Sequence, residues 1–130
     1  MLLWVLYLAY GWIIVGFAMI ALAYPPDFNS TIALHAFAYG GIGLMTIGMM
    51  APVSLGHTGR NVAAPPTILK WVSGLLLIGS VSRVAMPVII PAWHIEWIVI
   101  AQALWIVAFT LFAMRYAAMW LQPRIDGRDG

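Results

Sequence analysis

The chain has 130 residues, of which 64% are hydrophobic and 8% charged, with a formal net charge of +2. A soluble domain carries about 25% charged residues, so the composition excludes a soluble globular protein and favours an integral membrane protein. Cysteine is absent, which excludes disulfides and thiolate metal ligands. The few basic residues form no basic face, so nucleic acid is excluded as a partner.

Four apolar runs predict membrane-spanning helices, because each can cross a hydrocarbon core, which takes about 20 helical residues. The predicted helices are residues 2–24, 31–55, 67–90 and 93–121, followed by a polar, loosely ordered tail, residues 122–130. Ala21-Leu22-Ala23 resembles a signal-peptide cleavage site, but no Lys or Arg precedes the first run, so we expect it to remain as a helix. Short connectors predict an all-α fold, a four-helix transmembrane bundle with up-down-up-down topology over residues 1–121.

The distribution of basic residues predicts the orientation of this bundle. Arg83 lies on one side, together with Asp27 and Glu96. The other basic residues lie on the side of the N-terminus: Arg60, Lys70, Arg115, Arg124 and Arg128. The positive-inside rule therefore places both termini in the cytoplasm of a bacterial inner membrane.

The second predicted helix carries polar and sulfur-containing residues on one side. At 100° per residue, the stripe that contains His35 also contains Tyr39, Ile42, Thr46, Met49 and Met50. The opposite side consists mainly of small residues, which permit close helix packing: Ala33, Gly40, Ile47 and Ala51. This separation is typical of a helix that lines a cofactor site or a polar cavity.

Candidate ligands occur at both ends of the second helix. Near its start, His35 could be an axial ligand of haem or copper, and Arg83 could bind a haem propionate through its two-pronged guanidinium group. The alternative is a structural Arg83–Glu96 ion pair beside a hydrogen-bonded His35, because a charge within the membrane needs a partner. His94, at the start of the fourth helix, is a further candidate ligand.

His57 follows His35 by roughly 33 Å if the helix is unbroken, so the two cannot bind one metal ion from the same helix. His57 and Arg60, in a Gly-His-Thr-Gly-Arg turn, could bind a propionate, a metal ion or a lipid headgroup. The alternative is a helix C-cap with Gly56 in the left-handed conformation and ordinary interfacial basic residues. Met45 and Met49, four residues apart, could offer thioethers to Cu(I), although methionine is also a common apolar filler.

The segments that carry these residues resemble the C-terminal part of the NnrS family. The likeness runs through Leu34-His35-Ala36, the Ser54-Leu55-Gly56-His57-Thr58-Gly59-Arg60 segment, Ser82-Arg83-Val84 and the tail from Pro123 to Arg128. It therefore covers nearly the whole chain. NnrS proteins are polytopic inner-membrane proteins that are reported to contain haem and copper and are tied to nitric oxide metabolism.

The resemblance implies a haem b site, with copper as a second metal, in which His35 and His57 are ligands and Arg60 and Arg83 are supporting charges. Family members are much longer and have a motif rich in His and Glu that this sequence does not contain, so a site built from that motif cannot be transferred here. His94 matches no family position.

The leading functional expectation is a haem-binding membrane protein, with copper as a further candidate metal, in nitrogen-oxide or respiratory metabolism. It would be a cofactor-binding or accessory subunit rather than a stand-alone enzyme. The alternative is a cofactor-free accessory subunit of a larger membrane oxidoreductase. Expected partners are other membrane subunits or a second copy of the chain, and lipids. A channel or transporter is disfavoured, because Gln102 is nearly the only polar residue in mid-span.

Overall fold

The computed structural model describes residues 3–22 and 30–127, and all regular secondary structure in these ranges is helical. Four helices are long and apolar enough to span a membrane: α1 (Leu3–Leu22), α2 (Thr31–His57), α3 (Ile68–Ile89) and α4 (Pro91–Trp120). The predicted all-α fold with four spans is therefore confirmed, whereas the up-down-up-down order and the orientation stay predictions. Asp27 and Arg128 lie outside the described residues.

The two middle helices form the centre of the fold. Half of the apolar stretch of α2 and 44% of that of α3 are buried, against 17% for both α1 and α4. α1 packs along α2, and α4 packs most extensively against α3, while α2 also contacts both α3 and α4. The outer faces of α1 and α4 are consequently available to lipid or to another membrane protein.

Small residues allow α1 and α2 to approach closely. The Trp12 ring of α1 lies against Gly40, and Leu6 lies against Gly48, at distances that leave no room for a Cβ atom at either glycine. The side of α2 that was predicted to pack is buried throughout: Ala33, Gly40, Ile47 and Ala51. Close packing of small residues is an ordinary means of helix association in membranes, and the prediction for this face is confirmed.

The predicted polar stripe on α2 was wrong as a single face. Tyr39 is buried, but the other members are exposed: Ile42, Thr46, Met49 and Met50. Tyr39 faces α3 and α4, where it contacts Gly79 and Ala101, whereas the later members of the stripe lie on the outer surface of α2. The helix also contains a π-helical segment, Ala36–Gly43, between the α-helical segments Ser30–His35 and Leu44–His57.

Tyr39 connects three helices at the centre of the bundle. Its hydroxyl donates a hydrogen bond of 2.6 Å to the Ala101 carbonyl of α4, and it lies directly against Gly79 of α3. Its ring packs edge-on against Trp105, with 4.7 Å between ring centroids. The absence of a side chain at Gly79 is therefore what allows α2, α3 and α4 to meet at this level.

We expect Gly79→Ala to destabilise the protein, because the new Cβ would overlap the Tyr39 hydroxyl and displace it from the Ala101 carbonyl. Overpacking of this kind typically costs about 1–3 kcal/mol. Thermal unfolding in detergent measures the effect.

Gly74→Ala is the matched control, since it changes the same helix at a position with no atom within 4 Å of the new Cβ. Better helix propensity should make it neutral or stabilising by up to about 1 kcal/mol. Equal melting temperatures for the two variants would contradict the role assigned to Gly79.

Candidate functional site

The His35 side chain is held at both ring nitrogens by protein groups. Its Nδ1 lies 2.6 Å from the Thr31 carbonyl oxygen, one turn earlier in α2, and its Nε2 lies 2.9 Å from a guanidinium nitrogen of Arg83 on α3. A guanidinium group can only donate hydrogen bonds, so Nε2 must be the acceptor and must lack a proton. Nδ1 therefore carries the proton and donates a hydrogen bond to the Thr31 carbonyl oxygen. The imidazole is neutral in this arrangement.

Arg83 lies within α3 and is partly buried. Sequence analysis left open an ion pair with Glu96, but among the described residues Arg83 forms no such pair, and its guanidinium donates to His35 instead. Glu96 is exposed in the first turn of α4. The positive charge of Arg83 therefore faces a neutral partner.

A cavity of about 470 Å³ adjoins the His35–Arg83 contact. Its lining comprises His35, Ala38, Tyr39, Arg83, Gln102, Trp105 and Ile106. Its volume falls within the range of about 300–1,000 Å³ that is usual for small-molecule and cofactor sites. We call this cavity the His35 pocket.

The His35 pocket opens sideways, between α2 and α4. Ala38, Gln102 and Ile106 are exposed, whereas Tyr39 closes the inner end and is buried. The opening therefore lies along the face that a membrane would surround. The lining combines apolar surface with a few polar side chains, which is the usual composition of a cofactor site.

Two of the predicted ligands lie apart from this pocket. His94 is exposed at the first residue of the α-helical part of α4, and Met49 is 52% exposed on α2. Within residues 3–22 and 30–127, no three His, Asp or Glu side chains converge in a way that could hold a metal ion. The described imidazole and carboxylate side chains therefore form no group of three that could hold a copper ion.

At the other end of α2, the Gly-His-Thr-Gly-Arg segment forms a helix cap. Gly59 N–H donates to the Gly56 carbonyl at 3.1 Å, and Arg60 N–H donates to the Leu55 carbonyl at 2.8 Å. This is the Schellman arrangement, in which the residue after the helix takes the left-handed conformation. Gly59, with φ of 71°, takes it; the expectation that Gly56 would do so was wrong.

The tail after α4 packs against this cap, although the sequence predicted a loosely ordered segment. Arg60 donates to the Gln122 side-chain oxygen at 3.1 Å, and Ile125 N–H donates to the Thr58 carbonyl at 3.4 Å. His57, the last residue of α2, is exposed. Arg60 is therefore bonded to the tail, and His57 lies at the opposite end of α2 from His35.

Asp126 completes the contact between tail and cap. Its carboxylate lies against Gly59 and accepts two hydrogen bonds from Arg124, at 2.6 and 2.9 Å. These bonds raise the pKa of Arg124 above its ordinary value. Both the capped segment and the tail are part of the family resemblance noted above, and the structure shows that they form one unit.

Sequence reasoning missed two residues of the His35 pocket. Gln102 was noted only as a rare polar residue in mid-span, and Trp105 was not singled out. Both lie on α4 and line the pocket beside residues of α2 and α3. The sequence does not show which helices pack together, so it could not place Gln102 and Trp105 beside His35. The rarity of a polar residue in an apolar span was nevertheless a usable signal for Gln102.

The family described as NnrS protein matches residues 1–124 of the chain. The match confirms the resemblance and its extent over nearly the whole chain. Which part of the longer family members the chain corresponds to stays a prediction. No curated protein and no solved structure matches the chain.

We expect Gly59→Ala to loosen the tail. An alanine in the left-handed conformation costs roughly 1–2 kcal/mol, and its Cβ would lie 2.7 Å from the Asp126 carboxyl carbon. Faster trypsin cleavage after Arg124 in the folded protein, identified by the mass of the released peptide, measures the change.

Gly56→Ala is the control, because the nearest atom to its new Cβ is 3.8 Å away and its φ is not positive. The cap would not hold the tail if both variants were cleaved at the wild-type rate.

Proposed function

Because this chain belongs to the NnrS family, we propose that it is an NnrS-like membrane protein that binds one haem b group in the His35 pocket. The observation that carries this proposal is the neutral His35 ring, which lines the cavity and whose unprotonated Nε2 is held by Arg83, another residue of the lining. A ligand histidine almost always donates its other ring N–H to a carbonyl or carboxylate group, and Nδ1 of His35 donates to Thr31.

The donor set fits haem better than a metal ion bound by protein side chains alone. A haem iron needs one or two protein ligands and is commonly held by a single proximal histidine, whereas a bare ion needs a cluster that the described residues do not form. Trp105, Ile106 and Ala38 supply apolar surface for the macrocycle. Arg83 supplies a cation near a propionate. We therefore do not extend the proposal to copper.

When bound, haem iron supplies reversible binding of a diatomic molecule or exchange of an electron. The chain itself contributes the orientation of His35 through Thr31 and the position of Tyr39 through Ala101. We propose a role in nitric oxide or respiratory metabolism from the family resemblance.

The proposal leaves His57 and Arg60 outside the haem site, because Arg60 holds the tail and His57 is exposed at the far end of α2. It retains the bacterial inner membrane as the location and both termini in the cytoplasm, which the distribution of basic residues supports. The exposed sides of α1 and α4 support contact with lipids, other membrane subunits or a second copy.

One observation favours a second candidate function, that of an accessory subunit with no cofactor of its own. Both ring nitrogens of His35 already have protein partners, so the imidazole is fully hydrogen-bonded without a metal. In this alternative, the His35–Arg83 contact would join α2 to α3 and serve the fold alone.

We expect the purified protein to show a Soret band, either as isolated or after titration with haem b. His35→Ala should weaken haem binding by well over tenfold, since loss of a group that merely orients a ligand already costs about 10–100-fold. Absorbance titration in detergent measures this.

His94→Ala is the control, because it removes an exposed imidazole that lies outside the pocket, and its titration should match the wild type. No Soret band in the wild type, or a band that His35→Ala leaves unchanged, would reject the proposal in favour of the accessory role. A band lost only in His57→Ala would move the site to the other end of α2.

A further inference from the structure

The His35 lone pair that a metal would need is already used by Arg83. Since Nδ1 carries the ring proton, Nε2 is the ring nitrogen whose lone pair could bind a metal. Nε2 lies 2.9 Å from the guanidinium nitrogen of Arg83. A metal and an Arg83 N–H cannot both occupy one lone pair. Binding at Nε2 therefore requires Arg83 to leave His35.

Arg83 must then find another acceptor, because a guanidinium group within a membrane span is costly without one. His35 satisfies one N–H but leaves the positive charge uncompensated, and among the described residues no carboxylate pairs with Arg83. The pocket also contains the Gln102 amide, but this group is neutral too and would not compensate the charge. A carboxylate on the bound molecule would satisfy both the hydrogen-bonding capacity and the charge.

We infer that Arg83 is a specificity-determining residue that exchanges His35 for a carboxylate of the incoming molecule. This inference rests on the proposed function. In this exchange the hydrogen bond from Arg83 to Nε2 would break, Nε2 would be the atom that holds the metal, and Arg83 would form a charge-assisted pair with the carboxylate. No proton or electron would be transferred. The His35 pocket thus accepts haem that carries free propionates and disfavours the same macrocycle without them.

The test compares haem b with its dimethyl ester, in which the carboxylates are masked, by Soret titration of the full-length protein in detergent. The wild type should bind haem b at least about tenfold more tightly than the ester, which corresponds to a hydrogen bond to a charged group. In Arg83→Leu this preference should fall to about one. The ester should bind Arg83→Leu more tightly than it binds the wild type, because Nε2 no longer has a competing donor.

Two further variants keep the experiment decisive. Arg83→Lys retains the charge and should keep part of the preference for haem b over its dimethyl ester. This variant replaces Arg83→Leu in the test if Arg83→Leu does not fold. Arg115→Leu makes the same change at an exposed arginine of α4 that does not line the pocket, and its preference should equal that of the wild type.

The outcomes separate this inference from the proposed function. The inference is wrong if the wild type binds haem b and its dimethyl ester equally tightly, or if Arg83→Leu weakens the binding of both compounds by the same factor. Arg83 would then be only structural, while the haem site would stand. If the wild type binds neither haem, both the inference and the proposed function are wrong.

Discussion

The contact of Tyr39 with Gly79 and Ala101 is the constraint on which the rest of the structure depends. A buried phenol needs an acceptor in an apolar environment, and the Ala101 carbonyl supplies it across the helix interface. Because Gly79 has no side chain, α3 can come close enough to α2 for Arg83, one turn further along, to reach His35. The same contact brings Trp105 of α4 against Tyr39. One hydrogen bond and one missing side chain therefore define the inner end of the His35 pocket.

The pairing of Arg83 with His35 is unusual because a positively charged side chain has a neutral partner. An arginine in a membrane span ordinarily meets an acidic group or water, whereas here its partner is an imidazole whose protonation follows from the bonds it makes. This arrangement satisfies the geometry of hydrogen bonding but not the charge of the guanidinium group. An anionic ligand at the side opening would satisfy both, and the proposed cofactor role rests on this.

The two ends of α2 have different roles. At the end near the His35 pocket, the polar side chains converge on a cavity. At the other end, the glycines, the hydroxyl of Thr58 and the side chain of Arg60 are used to end the helix and to hold the tail. Sequence resemblance alone cannot distinguish these roles, since both ends combine a histidine with an arginine.

The four spans and the small-residue face of α2 could be predicted from the sequence, because hydropathy and residue size act locally. The polar stripe could not, because the sequence does not show which of its members the neighbouring helices cover: Tyr39 meets α3 and α4, whereas Ile42 and Thr46 are exposed. The left-handed residue was assigned to Gly56 instead of Gly59, since both glycines flank the same turn and only the backbone hydrogen bonds separate them. The pocket walls Gln102 and Trp105 depend on how α4 pairs with α2, which spacing along the chain does not contain.

The most direct test of the account is a density map of the protein isolated from its native membrane. The account predicts planar density in the His35 pocket, continuous with His35 Nε2, and the Arg83 guanidinium turned from the imidazole to an acidic group at the edge of that density. A pocket that holds only lipid, with Arg83 still bonded to His35, would contradict it.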